Sequence, residues 1–320
     1  VIPGNTRYSP VAFAAALFLA STAPAASILT PYNVVVSGNF TDANTDVGGG
    51  LAVGGVAAMN GFSIADALDG ESLTAFPGPN GTTGTAFIAA GGATGEASIF
   101  NGNWYFSGTD STFYNNGTGN AVSSNPVTFS TAFQQFTSVS TQLSNDSTTK
   151  GDSCTASGNV TTCTVSASGL NIINVADSVV ASGQALNING VSSTSWVIIN
   201  VSGATGTLSG DIEINGAGNN GDNSPGGAQD VLFNFDQATA ITLGGSSMGS
   251  VLAPDAAVTG DGGQFVGSLV AASFTAGASG GTEFHNFTFQ GTTFAPEPAP
   301  LACVGAGLIA LALIRRRRQG

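Results

Sequence analysis

The chain has 320 residues, enough for one large domain or two ordinary ones, and at 42% hydrophobic it can bury a core. Only 8% of its residues are charged, against about 25% in an ordinary soluble domain, and 46 are Gly. Intrinsic disorder is excluded, since disordered chains are poor in apolar residues and rich in charge; between Ser27 and Ala295, 18 acids face the single base Lys150, a net charge of −17 that repels phosphate and argues against nucleic acid as a partner.

In chain order, Arg7, the apolar run Val11–Ala20 and the small residues up to Ser27 read as a secretory signal peptide over residues 1–26. Ala23-Pro24-Ala25 fits the small-x-small rule, so cleavage is expected after Ala25 or Ala26. From there to residue 294 no linker or charge run divides the body, which is expected to be one domain, 27–294.

Short apolar runs ending in Gly recur along it: Val34–Gly38, Leu51–Gly55, Phe87–Gly91 and Val179–Gly183. The clearest repeat sets Gly249–Pro254 (GSVLAP) against Gly267–Ala272 (GSLVAA), 18 residues on. A strand, a Gly corner and a period near 18 predict a mainly β chain wound as a right-handed parallel β-solenoid, each coil stacking its apolar interior on the next. A β-sandwich, with short strands and turns every 8–12 residues, is the alternative.

One stretch breaks the β pattern. Phe129, Phe133, Phe136, Val139 and Leu143 fall on one face of a helix opening at Pro126 or Thr128, expected to lie along the solenoid and seal an apolar flank. Next come Cys154 and Cys163, nine positions apart in a polar stretch flanked by β-formers. In an oxidising compartment they are expected to form a disulfide at a hairpin tip, contributing roughly 2–3 kcal/mol by restricting the unfolded chain; two buried thiols are the alternative.

Catalytic chemistry is thinly represented. His285, the single histidine, lies in the aromatic alternation Glu283–Phe289 and reads as a strand residue. No residue is nominated as catalytic, cofactor-binding or metal-ligating, and the protein is expected not to be an enzyme. The loop Asn215–Gly227, with Asp222, and the alternating Asp42, Asn44 and Asp46 offer oxygen ligands without the spacing of a calcium loop, so plain surface is the expectation for both.

Tyr32–Phe40, Asn44–Gly48 and Gly50–Gly55, with the 126–144 helix and the late coils of Gly249–Phe289, resemble the choice-of-anchor A family. That resemblance implies an extracellular β-solenoid with an adhesive role, no established catalytic residues and a variable C-terminal anchor.

The C-terminus, residues 295–320, reads as such an anchor. Pro296-Glu297-Pro298 precedes the apolar span Leu301–Ile314, 14 residues or about 21 Å as a helix, and Arg315, Arg316, Arg317 and Arg318 follow it. The span is expected to be a transmembrane helix, with the arginines cytoplasmic by the positive-inside rule. Tripeptide, span and basic cluster together resemble the PEP-CTERM sorting signal of Gram-negative bacteria, which implies processing by a membrane-embedded exosortase.

These readings predict a cell-surface or extracellular-matrix protein, transiently anchored in the inner membrane, that contacts exopolysaccharide or matrix proteins. Two alternatives stand beside it. An ice- or glycan-binding solenoid is one, although Thr239, Thr242, Thr259 and Thr275 form no regular Thr-x-Thr ladder. A polysaccharide-active enzyme is the other, and it would need acids clustered on one strand face.

Overall fold

The computed structural model describes residues 32–66, 83–108, 112–117, 119–181, 185–208, 210–221, 224 and 226–291. The expected signal peptide (1–26), sorting tail (295–320) and transmembrane helix (301–314) lie outside the described residues. Among the described residues, no helix is long and apolar enough to cross a membrane.

The chain is mainly β, and its strands stack in parallel coils with three faces. The first face runs β12 (Gly169–Ala176), β14 (Ser195–Ser202), β17 (Val231–Asn234), β20 (Ser250–Gly260), β22 (Leu269–Ala276), β1 (Tyr32–Val36), β4 (Gly50–Val53), β6 (Thr85–Ala89) and β8 (Asn103–Phe106). The second face runs β15 (Thr205–Leu208), β18 (Ala240–Leu243), the later halves of β20 and β22, then β2 (Phe40–Ala43) and the first halves of β5 (Ala57–Ile64) and β7 (Ala93–Ile99). On the third face are β11 (Val160–Thr164), β13 (Ala185–Asn189) and β16 (Asp211–Ile214), with β19 (Ser247–Met248), β21 (Gly263–Val266), β23 (Thr282–His285), β3 (Asp46–Val47), the ends of β5 and β7, and β9 (Phe113–Asn115).

The stacking order is not the chain order. Coils 153–286 come first and coils 32–122 follow, so the last coil lies against the first. At this seam Val34 pairs with Leu269 and Phe40 with Phe274. The Phe40 and Phe274 rings stack with centroids 5.3 Å apart, and Phe274 meets Phe284 edge-on at 5.2 Å. The buried Asn33 amide donates to the Gly267 and His285 carbonyls of the last coil. Gly249–Pro254 and Gly267–Ala272 do lie on adjacent coils, with Val251 beside Leu269.

Because the stack is permuted, the chain must return from the β8–β9 end to the β12 end, and helix α1 (Phe129–Ser144) makes that journey over the first face. Its 16 residues span about 24 Å, or about five coil spacings. The strands beneath are apolar on both sides, as expected of a parallel sheet covered on both faces. Val34 and Val36 point into the solenoid while Val35 points out, and with Ala52, Ile88, Ile198, Leu232, Leu252 and Val270 it meets Phe136, Val139 and Leu143 of the helix. Phe129 and Phe133 pack at the margin of the same cluster. Thr128 occupies the N-cap, without a side-chain hydrogen bond.

The last turn of α1 is held by an asparagine ladder. Asn174, Asn200 and Asn234 are register neighbours. Asn234 Nδ2 donates to the Ser140 carbonyl at 2.9 Å and to Asn200 Oδ1 at 2.8 Å, while Ser140 Oγ donates to Asn234 Oδ1 at 2.6 Å. Asn200 Nδ2 in turn donates to the Leu143 carbonyl and to Asn174 Oδ1, each at 2.7 Å. The ladder thereby ties the Ser140 and Leu143 carbonyls of the helix to the first face.

β10 (Ser153–Ser157) folds antiparallel onto β11 and closes the β11 end of the third face, with Cys154 opposite Cys163 in a disulfide. The hairpin covers an edge strand that would otherwise offer free backbone groups to another chain. α2 (Asp177–Val180) sits beside β15, and Asp177 accepts from the Thr207 N–H at 2.9 Å.

Corners between the first two faces are built by stacked glycines. Gly38, Gly55 and Gly91 form a rank in which Gly55 N–H donates to the Gly38 carbonyl and Gly91 N–H to the Gly55 carbonyl, both at 2.8 Å. A Cβ on Gly55 would lie 2.4 Å from Asn39 Oδ1 and 2.7 Å from the Gly38 carbonyl carbon, so backbone would have to move. Gly55→Ala should therefore destabilise the fold by about 1–3 kcal/mol, read as a lower urea midpoint. Gly218→Ala, whose methyl would enter open space, should not lower it.

Candidate functional site

Alternation along the second face sends apolar residues inward and small residues out to solvent. Ile241, Val258, Phe274 and Phe40 are buried, and each is followed by an exposed threonine. Those threonines are register partners, and half-buried Thr207 extends their rank: Thr207 beside Thr242, Thr242 beside Thr259, Thr259 beside Thr275, and Thr275 beside Thr41 across the seam. Next come Ala58 and then Thr94. Two residues earlier on the same side run Thr205, Ala240, Ala257 and Ser273.

Coils stand about 4.8 Å apart, and alternate residues of a strand about 6.7 Å apart. The second face therefore presents a lattice of hydroxyl and methyl groups on a rigid sheet, with no charged side chain among these positions. Each threonine offers a donor, an acceptor and a methyl group. This arrangement suits contact with another flat, repeating surface.

The threonine rank extends the sequence reading: along it only Thr205 and Thr207 form a Thr-x-Thr pair, yet one threonine per coil lines up over five coils. Thr239 does not belong to it: its N–H and hydroxyl both donate to the Ala204 carbonyl at a corner. Thr41 and Thr207 do belong, and both went unnoticed in the sequence. The available signal was local, an inward-facing residue followed by Thr in Phe40-Thr41, Gly206-Thr207, Ile241-Thr242, Val258-Thr259 and Phe274-Thr275.

The remaining sequence candidates fall elsewhere. Among the described residues, no group of three or more His, Cys, Asp or Glu side chains could hold a metal ion. Asp222 lies outside the described residues. Its neighbour Asn219 pins the loop onto the third face, donating to the Gln264 carbonyl at 3.0 Å and accepting from Gly221 N–H at 2.8 Å. His285 ends β23, is buried, and has Nε2 3.5 Å from Glu283 Oε1. Pro296, Glu297, Pro298 and Arg315 to Arg318 are not among the described residues.

Asp42 does not share an open face with Asn44. Its side chain points inward beside the rank and is only 2% exposed. Oδ1 accepts from Ala43 N–H at 2.8 Å, and Oδ2 from Thr282 N–H, across the seam, at 3.3 Å. Burial outweighs both donors and pushes the carboxyl up from 3.8 to about 7. Burial likewise pushes Asp230 up to about 6.

The model of a family described as "Putative Ice-binding-like adhesive domain" matches residues 25–286. Among solved structures, the chain is similar to an ice-binding protein from the Antarctic ascomycete Antarctomyces psychrotrophicus, at 13% identity and a TM-score of 0.39, over 82% of this chain and 98% of that one. An ice-binding protein from an Antarctic biological consortium is also 13% identical, with a TM-score of 0.35, over 90% and 96% of the two chains. An ice-binding protein from an Antarctic bacterium of the Flavobacteriaceae is 16% identical, with a TM-score of 0.29, over 80% and 64%. No curated protein matches the chain.

The two raised carboxyl groups carry a signed pH dependence. Folding favours their protonated forms, so their stabilisation is complete below the unfolded value of 3.8 and is lost as pH rises through the folded values of about 6 and about 7. Between pH 7.5 and pH 5 the wild-type melting temperature should rise. Asp42→Asn should flatten that rise, because an amide does not titrate; an equal slope in the variant would show that the rise comes from other groups.

Proposed function

Because the chain belongs to the family described as "Putative Ice-binding-like adhesive domain", we propose that it is an exported, non-catalytic surface or matrix protein that adheres through its threonine-ranked second face. The observation that carries this reading is the continuity of Thr207, Thr242, Thr259, Thr275 and Thr41 across five parallel coils. One hydroxyl contributes only about 0.5–1.5 kcal/mol to a contact. A rigid rank adds many such contacts without an ordering cost, so a repeating partner is bound where an isolated sugar or peptide is not. Exopolysaccharide and matrix proteins are the partners this surface fits, and the acidic body disfavours nucleic acid.

A substitution at the centre of the rank tests the surface. Thr259→Tyr in the full chain should cut attachment to beads coated with bacterial exopolysaccharide at least fivefold, with an unchanged melting temperature. Equal attachment would remove the second face from this reading. Ice binding is a second reading, favoured by the regular spacing of hydroxyl and methyl groups. Thermal hysteresis that is present in the wild type and lost in Thr259→Tyr would select it over glycan adhesion.

Export and sorting belong to the same proposal. Residues 1–26 act as the signal peptide. In the PEP-CTERM reading an exosortase recognises Pro296-Glu297-Pro298, while the apolar span Leu301–Ile314 and Arg315, Arg316, Arg317 and Arg318 hold the chain in the inner membrane until it is cut. Choice-of-anchor A resemblance and sorting tail are consistent with each other, since that resemblance implies an adhesive body with a variable C-terminal anchor. Deleting residues 296–320 should abolish surface display in fractionated exosortase-positive cells; normal display of the truncated chain would overturn the sorting reading.

A further inference from the structure

A cavity of about 550 Å³ opens beside the last turn of α1, at the corner between the first and second faces and several coils from the seam. Thr141 and Asn145 of the helix end line it, with Asn174 and Ser202 of the first face and Asp236 and Gln237 from the corner after β17. Its size lies within the range of small-molecule sites.

The groups there fall into two sets. Asn174 and Asn200 are committed to the asparagine ladder, which holds their side chains in place. By contrast, the Asp236 carboxylate, the Gln237 amide and the Thr141 hydroxyl make no hydrogen bond or ion pair with the described residues, and all three residues line the cavity. The wall therefore offers donors and acceptors in the mixture that vicinal hydroxyls require.

Its electrostatics are one-sided. The C-terminal pole of a helix carries a partial negative charge, and α1 has no basic residue in its last turn to offset it. Asp236 adds a full negative charge, and none of the lining residues is a base. An anionic ligand is repelled, whereas a neutral one leaves the carboxylate uncompensated once water is displaced.

We propose that this cavity is a saccharide subsite selective for a sugar that carries a free, protonated amine. The amine pairs with Asp236 and the helix end, and the ring hydroxyls bind Gln237, Thr141 and Ser202. The cavity is separate from the threonine rank, and binding here does not require adhesion through that face.

Isothermal titration of the full chain with a glucosamine tetramer tests the proposal. The fully N-acetylated tetramer supplies the same rings without charge, and putrescine supplies an amine without a ring. The glucosamine tetramer should bind at least tenfold more tightly than either. Asp236→Asn should weaken it at least tenfold and Gln237→Ala at least threefold, with melting temperatures unchanged, while Thr259→Tyr should leave it intact. Absence of binding, equal affinity for the acetylated tetramer or for putrescine, or full affinity in Asp236→Asn would each overturn the proposal.

Discussion

The parallel pairing of the last coil with the first is the contact on which the molecule depends. Val34 beside Leu269, Phe40 stacked on Phe274, and the Asn33 amide reaching the Gly267 and His285 carbonyls join two sets of coils that are remote in the chain. Without that junction each set would end in an open edge. With it, one apolar interior runs through both. The second face becomes continuous at the same point, because Thr275 and Thr41 are neighbours only there. The threonine-ranked face and the core therefore have the same origin.

Helix α1 follows from the permuted order. A chain that leaves the stack at one end and re-enters at the other needs a connection of several coil spacings, and a helix provides it while keeping its backbone groups paired. Laid over the outward side chains of the first face, it converts a sheet apolar on both sides from a liability into a second core. The ladder of Asn174, Asn200 and Asn234 fixes where the helix stops. The same fixation shapes the cavity beside Asp236.

Much of the local structure was legible in the sequence. The helical spacing of Phe129, Phe133, Phe136, Val139 and Leu143 located α1, because amphipathic periodicity is a short-range signal. The matched segments at 249 and 267 revealed two adjacent coils. What stayed hidden was order in space. Thr41 joins Thr275 only through pairing across more than 200 residues, and no local pattern reports which strand lies beside which. Asp42 was read as one of three alternating polar side chains; the alternation of β2 points it inward, where burial rather than ligand geometry governs it. Asn174, Asn200 and Asn234 looked like ordinary polar positions until their register was known.

The seam between the last coil and the first has a kinetic consequence. Strand β1 emerges among the first described residues, but its partner β22 emerges among the last, so the pairing has very high contact order and forms late. Until then the edges at Tyr32–Val36 and Leu269–Ala271 stay open, and each is complementary to the other on any neighbouring copy. Two molecules that exchange their halves across this junction would reproduce its strand pairing, so crowding of unfinished chains exposes them to domain swapping.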